Sequence, residues 1–176
     1  MHVARRFPSF PLVLALAVVT MPVCAVAQGP AKTAILHAAE AAKVLPNMVY
    51  FAGKSANTQL RNSSGVHYAD GHYLLAVLVD TSGYSSSIQE KYQAYLLTEV
   101  PLDIEGHRLP AGAYGVGFVG GHFVVMDIGS HDLLQTAAAH DAKMPRPMPL
   151  QILEGSSAEN YRLCFGRDCV DFHRAK

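Results

Sequence analysis

The sequence has no tryptophan, only three cysteines, and equal numbers of acidic and basic residues. The balanced charge gives no electrostatic reason to expect a nucleic acid or an anionic membrane as a partner. After residue 27, no apolar stretch approaches the roughly 20 residues that a membrane-spanning helix needs. We therefore predict neither a nucleic-acid partner nor a transmembrane segment in the remainder of the chain.

Motifs for catalysis and cofactor binding are also missing. Gly53-Lys54-Ser55 matches only the end of a phosphate-binding loop, because Met48 stands where the first glycine should be. The loop serines Ser85-Ser86-Ser87 lie outside the G-x-S-x-G pattern that exposes a nucleophilic serine. These absences favour a protein without enzymatic activity, and we predict no cofactor.

The first residues, Met1 to Ala27, have the pattern of a secretory signal peptide. Arg5-Arg6 forms a basic start, and the apolar run Leu12 to Val19 is too short to span a bilayer. Ala25-Val26-Ala27 then predicts cleavage before Gln28, with export to the periplasm or the cell exterior. The leader holds two of the 14 basic residues and no acidic one, so cleavage leaves a formal charge of −2.

Cleavage would also remove Cys24 and leave Cys164 and Cys169 as a pair. Tyr161 to Cys164 and Cys169 to His173 are predicted strands of one hairpin, which sets the two cysteines opposite each other. An oxidising compartment would then favour a disulfide between them. Two reduced thiols, or half of a metal site, are the alternatives.

A short helix and a longer β region are predicted for the mature chain. In the segment 28–46, the Ala-rich stretch Lys32 to Leu45 has apolar residues at helical spacing and precedes a proline. Over residues 47–176, short β-rich runs alternate with turn signals, among them the hairpin signal Asp70-Gly71. About nine to eleven short strands argue for a mainly β domain, an antiparallel sandwich or barrel. His131 to Asp141 fits either a helical face or a strand.

The clearest predicted register surrounds Gly120-Gly121, a two-residue hairpin turn between Ala113 to Val119 and His122 to Ile128. Counting outward from this turn places Gly115 and Gly117 together on one face of the first strand. Glycines at such positions indicate one of three causes: an aromatic ring packed against the backbone, a sharp bend of the sheet, or a ligand that lies against the strand.

The stretch Leu109-Pro110-Ala111-Gly112-Ala113-Tyr114 resembles the L-P-A-G-x-Y element of uncharacterised secreted bacterial β-domains. The resemblance covers Ile104 to Ile128. It implies an antiparallel β fold, and it transfers no catalytic residue to this sequence.

Histidine and aspartate recur as a pair, His131-Asp132 and His140-Asp141. Histidine with carboxylate is a common ligand set for zinc, iron or copper, so these four residues are the metal-site candidates. No H-x-H or H-E-x-x-H spacing accompanies them. The alternative is that they are ordinary surface histidines and aspartates.

Tyrosines form a second candidate group. Tyr84, Tyr92 and Tyr95 surround one predicted loop, where a sugar or a peptide could use aromatic rings as platforms. In exported sheets, however, tyrosines commonly pack at half-buried strand positions with the hydroxyl reaching water.

The sequence thus favours an exported, non-catalytic β domain that acts as an extracytoplasmic binding or structural module. Its partner would be an unidentified small molecule, glycan or protein. One alternative is a metal-dependent enzyme or metal-binding protein that uses the His–Asp pairs. Another is a β-barrel carrier of a small apolar ligand, with Gly115 and Gly117 beside its interior.

Overall fold

The computed structural model describes residues 32–176, so the predicted leader and its cleavage site before Gln28 lie outside the described residues. Over this range the chain forms 14 strands and two short helices. The helices are α1 (Ala38–Ala41) and α2 (Ser86–Lys91). The strands are β1 (Ala34–Leu36), β2 (Met48–Phe51), β3 (Lys54–His67), β4 (Tyr73–Val79), β5 (Ala94–Thr98), β6 (Leu102–Ile104), β7 (His107–Leu109), β8 (Gly112–Val119), β9 (His122–Met126), β10 (Asp132–Ala137), β11 (Ala139–His140), β12 (Met148–Glu154), β13 (Asn160–Gly166) and β14 (Asp168–Arg174).

The strands form two antiparallel sheets that pack face to face. Sheet 1 has eight strands in the order β1-β3-β4-β5-β8-β9-β10, with β2 paired to β3. Sheet 2 has six strands in the order β12-β13-β14-β6-β7, with β11 paired to β14. The predicted mainly β, antiparallel fold is confirmed, as a sandwich and not a closed barrel. The strand number exceeds the predicted nine to eleven, because β1 lies in the segment predicted as a helix and β11, with two residues, carries too little pattern to be recognised.

The N-terminal helix is shorter than the predicted Lys32 to Leu45. Ala34–Leu36 pairs with β3 as strand β1, with Ala34 opposite His67. Only Ala38–Ala41 is helical, and the Glu40 carboxylate accepts a hydrogen bond from the His37 N–H at 3.0 Å. A sheet edge offers ladder hydrogen bonds to these residues, whereas a short isolated helix is marginal even with alanine.

Apolar side chains fill the space between the two sheets. Sheet 1 contributes residues such as Leu74, Leu96 and Phe123, and sheet 2 contributes residues such as Leu163 and Phe172. The gap they border measures only about 10 Å³. That is at the lower limit for a single water molecule. This gap between the described sheets therefore has no room for an apolar ligand.

The outer face of sheet 1 is covered as well. Ala41 and Leu45 pack on Leu75 and Val77 of β4. The β2–β3 hairpin covers part of β4 and β9, since its apolar residues pack in one cluster with Val79 and Met126. Sheet 1 is thus buried on both faces, unlike an antiparallel sheet with one face in water.

Packing explains Gly115 and Gly117 of β8. The Phe51 ring stacks on Tyr92 with centroids 3.9 Å apart, and both rings lie against Gly115. The Lys91 carbonyl oxygen lies against Gly117. The prediction that a packed aromatic ring approaches the backbone is therefore confirmed at Gly115, and no ligand is needed to explain either glycine.

The predicted hairpin around Gly120-Gly121 is confirmed, with Gly115 opposite Met126 and Gly117 opposite Val124. The segment 131–141, open between helix and strand in the sequence, is extended. Asp132–Ala137 pairs with β9, and Ala139–His140 pairs with β14.

Cys164 and Cys169 form a disulfide across the β13–β14 hairpin, with Cα atoms 4.1 Å apart. Both residues are fully buried, and Met144 packs on them. The pairing of the two strands continues to Phe165 and Asp168. The turn therefore has two residues, not the predicted four. Gly166 supplies the left-handed φ of 61° that this tight turn requires.

Removal of the disulfide should lower stability only modestly. The cysteines are five positions apart, so the chain-entropy model for this small loop gives about 2 kcal/mol. We expect a lower urea midpoint for Cys164→Ala/Cys169→Ala than for the oxidised protein. Reductant should lower the wild-type midpoint in the same direction and leave the variant unchanged. Equal midpoints for the oxidised and reduced wild-type protein would contradict the prediction.

A methyl group at Gly115 should disturb the outer core. Its Cβ would lie 2.6 Å from Phe51 Cζ and 2.9 Å from Tyr92 Cδ2, so Gly115→Ala should cost about 1–3 kcal/mol of unfolding free energy. Gly83→Ala is the matched control, because nothing lies within 4 Å of its added Cβ. Chemical unfolding checks both variants, and equal stability of the two would refute the packing explanation.

Candidate functional site

The four metal-site candidates lie apart and each has its own partner. Asp132 is the first residue of β10 in sheet 1 and His131 directly precedes it, whereas His140 and Asp141 lie beside β14 in sheet 2. The side-chain pairs are His131 Nδ1 with Asp127 Oδ2 (2.9 Å), Asp132 Oδ2 with Lys91 Nζ (2.6 Å), His140 Nδ1 with Asp168 Oδ1 (2.6 Å) and Asp141 Oδ2 with Arg162 Nη1 (3.3 Å). Within residues 32–176, no group of three His, Cys, Asp or Glu side chains could hold a metal ion.

The three candidate tyrosines lie mainly in the outer core. Tyr84 and Tyr92 are buried with Phe51 under the β2–β3 hairpin, and Tyr95 packs partly buried against them. The Tyr84 hydroxyl donates to the Phe51 carbonyl at 3.0 Å. The rings of Tyr84 and Tyr92 therefore stabilise the fold and offer no exposed platform to a sugar or peptide.

A cleft of about 170 Å³ opens at one end of the sandwich. Four parts of the chain meet there: the residues before β1, the β3–β4 turn, the loop before β13 and the last residue of β14. We call it the end cleft, and its side chains are Thr33, Tyr68, Asp70, Glu159, Tyr161 and Arg174. Sequence patterns did not identify this site.

Local sequence fixes the turn that forms one wall of the end cleft. The predicted Asp70-Gly71 hairpin signal is confirmed, and Gly71 takes a left-handed φ of 88°. The Tyr68 N–H donates to the His72 carbonyl at 2.9 Å and closes the hairpin. The Ala69 N–H donates to Thr33 Oγ1 at 3.1 Å, which ties the chain before β1 to this turn.

Arg174 is held in place from two sides. Its Nη1 donates to Asp70 Oδ2 at 2.6 Å, and its guanidinium carbon lies 5.5 Å from the centroid of the Tyr68 ring. The hydrogen bond from Arg174 is the main cause that lowers the pKa of Asp70 to about 2. The pair therefore stays charged over the whole neutral range. A guanidinium carries five N–H donors, so others remain free to bind a ligand.

Tyr68 lines the end cleft and carries a buried hydroxyl group. The residue is only 5% exposed, and its hydroxyl has no hydrogen-bond partner among the described residues. Burial and the neighbouring Tyr161 raise its pKa, so the hydroxyl stays protonated. A buried polar group without a partner is rare in folded proteins and points to a missing partner.

Glu159 stands at the rim of the end cleft with a backbone φ of 66°. A left-handed conformation is costly for a residue with a side chain, and such strain is concentrated at functional sites. Burial first, and then the carboxylates of Glu159 and Glu154, raise the pKa of Tyr161. Glu159 thus brings a negative charge to the same cleft that Arg174 lines.

Two further depressions continue the end cleft, and Glu159 borders both of them. One, of about 610 Å³, follows the loop 155–159 and Lys32. The other, of about 420 Å³, lies toward Asp103, Arg108 and His173. The three depressions together form an open groove across this end of the sandwich, which we call the polar groove for the charged and hydroxyl side chains along it.

The Asp70 carboxyl should titrate near pH 2, well below the ordinary aspartate value of 3.8. Because its folded pKa is lowered, the Asp70–Arg174 pair stabilises the protein above that ordinary value and is lost as the pH falls toward 2. Arg174→Ala should move the midpoint up toward 3.8, as read by carboxyl-carbon NMR. Arg108→Ala is the matched control, since Arg108 instead donates to the Lys176 carbonyl. A wild-type midpoint near 3.8 would contradict the pairing.

Comparisons with known proteins assign no function to the end cleft. A scan against protein-family models, a search of curated proteins and a search of solved structures each return no match to this chain. The resemblance of Leu109 to Gly115 to the L-P-A-G-x-Y element therefore stays a prediction, and the end cleft is interpreted from its own chemistry.

Proposed function

We propose that this protein is an exported, non-catalytic binding module whose ligand occupies the end cleft. One observation carries the proposal: the buried Tyr68 hydroxyl lacks a partner beside an Arg174 guanidinium that Asp70 holds in a fixed position. A ligand that bonds to both groups would satisfy the hydroxyl and use donors whose orientation is already set. This favours ligand binding over a purely structural role.

The protonation states of the end cleft support binding rather than catalysis. Asp70 stays ionised because its pKa is about 2. Burial raises the pKa values of Tyr68 and Tyr161, which keeps both hydroxyls protonated. A general acid or base works best with a pKa near the operating pH, and these three groups are held away from it.

The proposed location rests on the leader pattern and on the disulfide. Met1 to Ala27 has the three regions of a signal peptide, and Cys164–Cys169 is a bond that oxidising compartments maintain. Neither helix among residues 32–176 is long and apolar enough to cross a membrane. We place the module in the periplasm or outside the cell.

A binding screen on the exported protein tests the proposal. The full chain is secreted from a bacterial host, and its mass should show a start at Gln28 and two hydrogens fewer than the reduced form. Neutral sugars, amino acids, short peptides and small organic acids are then added singly at millimolar concentration. At least one of these classes should shift the backbone amide signals of Asp70, Glu159 and Arg174 in a saturable way.

Variants make the screen specific to the end cleft. Arg174→Ala should weaken the binding, whereas Tyr92→Phe should leave it unchanged because Tyr92 lies in the outer core. Saturable binding that maps elsewhere on the sandwich, or chemical turnover of the bound probe, would overturn the proposal. So would retention of the leader in the secreted protein.

A further inference from the structure

We infer that the ligand of the end cleft is a neutral oligosaccharide that lies along the polar groove. The inference rests on the proposed function and names the ligand class of the same site. It follows from three features of the groove, namely its hydrogen-bonding groups, its charge balance and its shape.

The hydrogen-bonding groups call for a ligand that both donates and accepts. Arg174 offers only donors, the exposed carboxylate of Glu159 offers only acceptors, and the Tyr68 hydroxyl can do either. Asn160 and the hydroxyls of Ser156 and Ser157 add both kinds along the groove. A sugar hydroxyl also donates one hydrogen bond and accepts others, so adjacent hydroxyls of one ring match this mixed set.

The charge balance disfavours an ionic ligand. Asp70 neutralises Arg174 at 2.6 Å, and the Glu159 carboxylate would repel an anion that approached the remaining guanidinium donors. A cation would lack an aromatic surface to bind, because Arg174 covers the Tyr68 ring and Phe172 stacks on Tyr161 with centroids 5.6 Å apart. Neither effect disfavours a neutral polar ligand.

The shape of the groove fits a chain of similar polar units. The end cleft itself, at about 170 Å³, is below the range of drug-sized pockets and has room for a single ring. The depressions on either side of Glu159 extend it in two directions. None of the large apolar side chains exposed on the described chain borders this groove. An extended peptide with apolar side chains would therefore find no large apolar partner at the surface of the groove.

A titration with neutral trisaccharides tests the inference. Maltotriose, cellotriose and the trimer of N-acetylglucosamine are added separately to the isotope-labelled protein that starts at Gln28. We expect at least one of them to give saturable amide shifts at Asp70, Glu159, Asn160 and Arg174. The dissociation constant should lie in the millimolar range, because no free aromatic face is available for stacking.

Substitutions test which groups hold the sugar. Tyr68→Phe removes only the hydroxyl and should weaken binding about five-fold, the effect of one lost neutral hydrogen bond. Tyr92→Phe removes the other buried hydroxyl without a partner and should leave the affinity unchanged. Both variants keep the aromatic ring, so amide spectra outside the substituted regions report that the fold is intact.

Three outcomes would overturn the inference. If no trisaccharide gives saturable shifts in the groove, the ligand is not a neutral oligosaccharide. If a blocked tri-alanine peptide binds there and the sugars do not, the ligand class is wrong although the proposed binding function stands. If a trisaccharide binds equally well to the wild type and to Tyr68→Phe, the hydroxyl does not hold the ligand.

Discussion

The burial of both faces of sheet 1 is the constraint on which the rest of the structure depends. Four successive residues of β4, Leu74 to Val77, are each at most 1% exposed, although they alternate between the two faces. Sheet 2 covers one face. The other face needs a separate cover, which α1 and the β2–β3 hairpin provide. The hydrophobic contribution to folding therefore comes from apolar area that is removed from water on both sides of the same strands.

This double cover also determines where the end cleft forms. Ser64 lies buried at the junction of the two sheets, where its Oγ donates to the Leu36 carbonyl at 2.9 Å and accepts from the Ile152 N–H at 3.2 Å. One side chain thus joins β1, β3 and β12. The same three strands lead to the walls of the end cleft: the residues before β1, the turn after β3 and the loop after β12. The groove is therefore attached to a rigid junction, although its rim is built from loops.

The elements that sequence patterns predicted are those that local chemistry decides. Gly120-Gly121 and Asp70-Gly71 form their hairpins because neighbouring residues specify those turns, and Cys164–Cys169 follows from the hairpin that contains it. The end cleft was not predictable in this way. Its central ion pair joins Asp70 to Arg174 across 104 positions, and only the packing of the two sheets brings them together. The packing of the sheets likewise separates the two His–Asp pairs, because Asp132 lies in sheet 1 and His140 lies in sheet 2.

The two buried tyrosine hydroxyls differ in their surroundings, and the proposed binding depends on that difference. Tyr68 and Tyr92 both lack a hydrogen-bond partner, and such a group costs about 1–3 kcal/mol. At Tyr92 the stacking on Phe51 and the edge contact with Tyr84 offset this cost, and the closed cluster leaves no route for a ligand. At Tyr68 the same cost arises in a residue that lines the open end cleft, where the ligand that we propose would supply the missing partner. Folding has then already desolvated the tyrosine hydroxyl, so a new hydrogen bond contributes more to affinity there than at an exposed site.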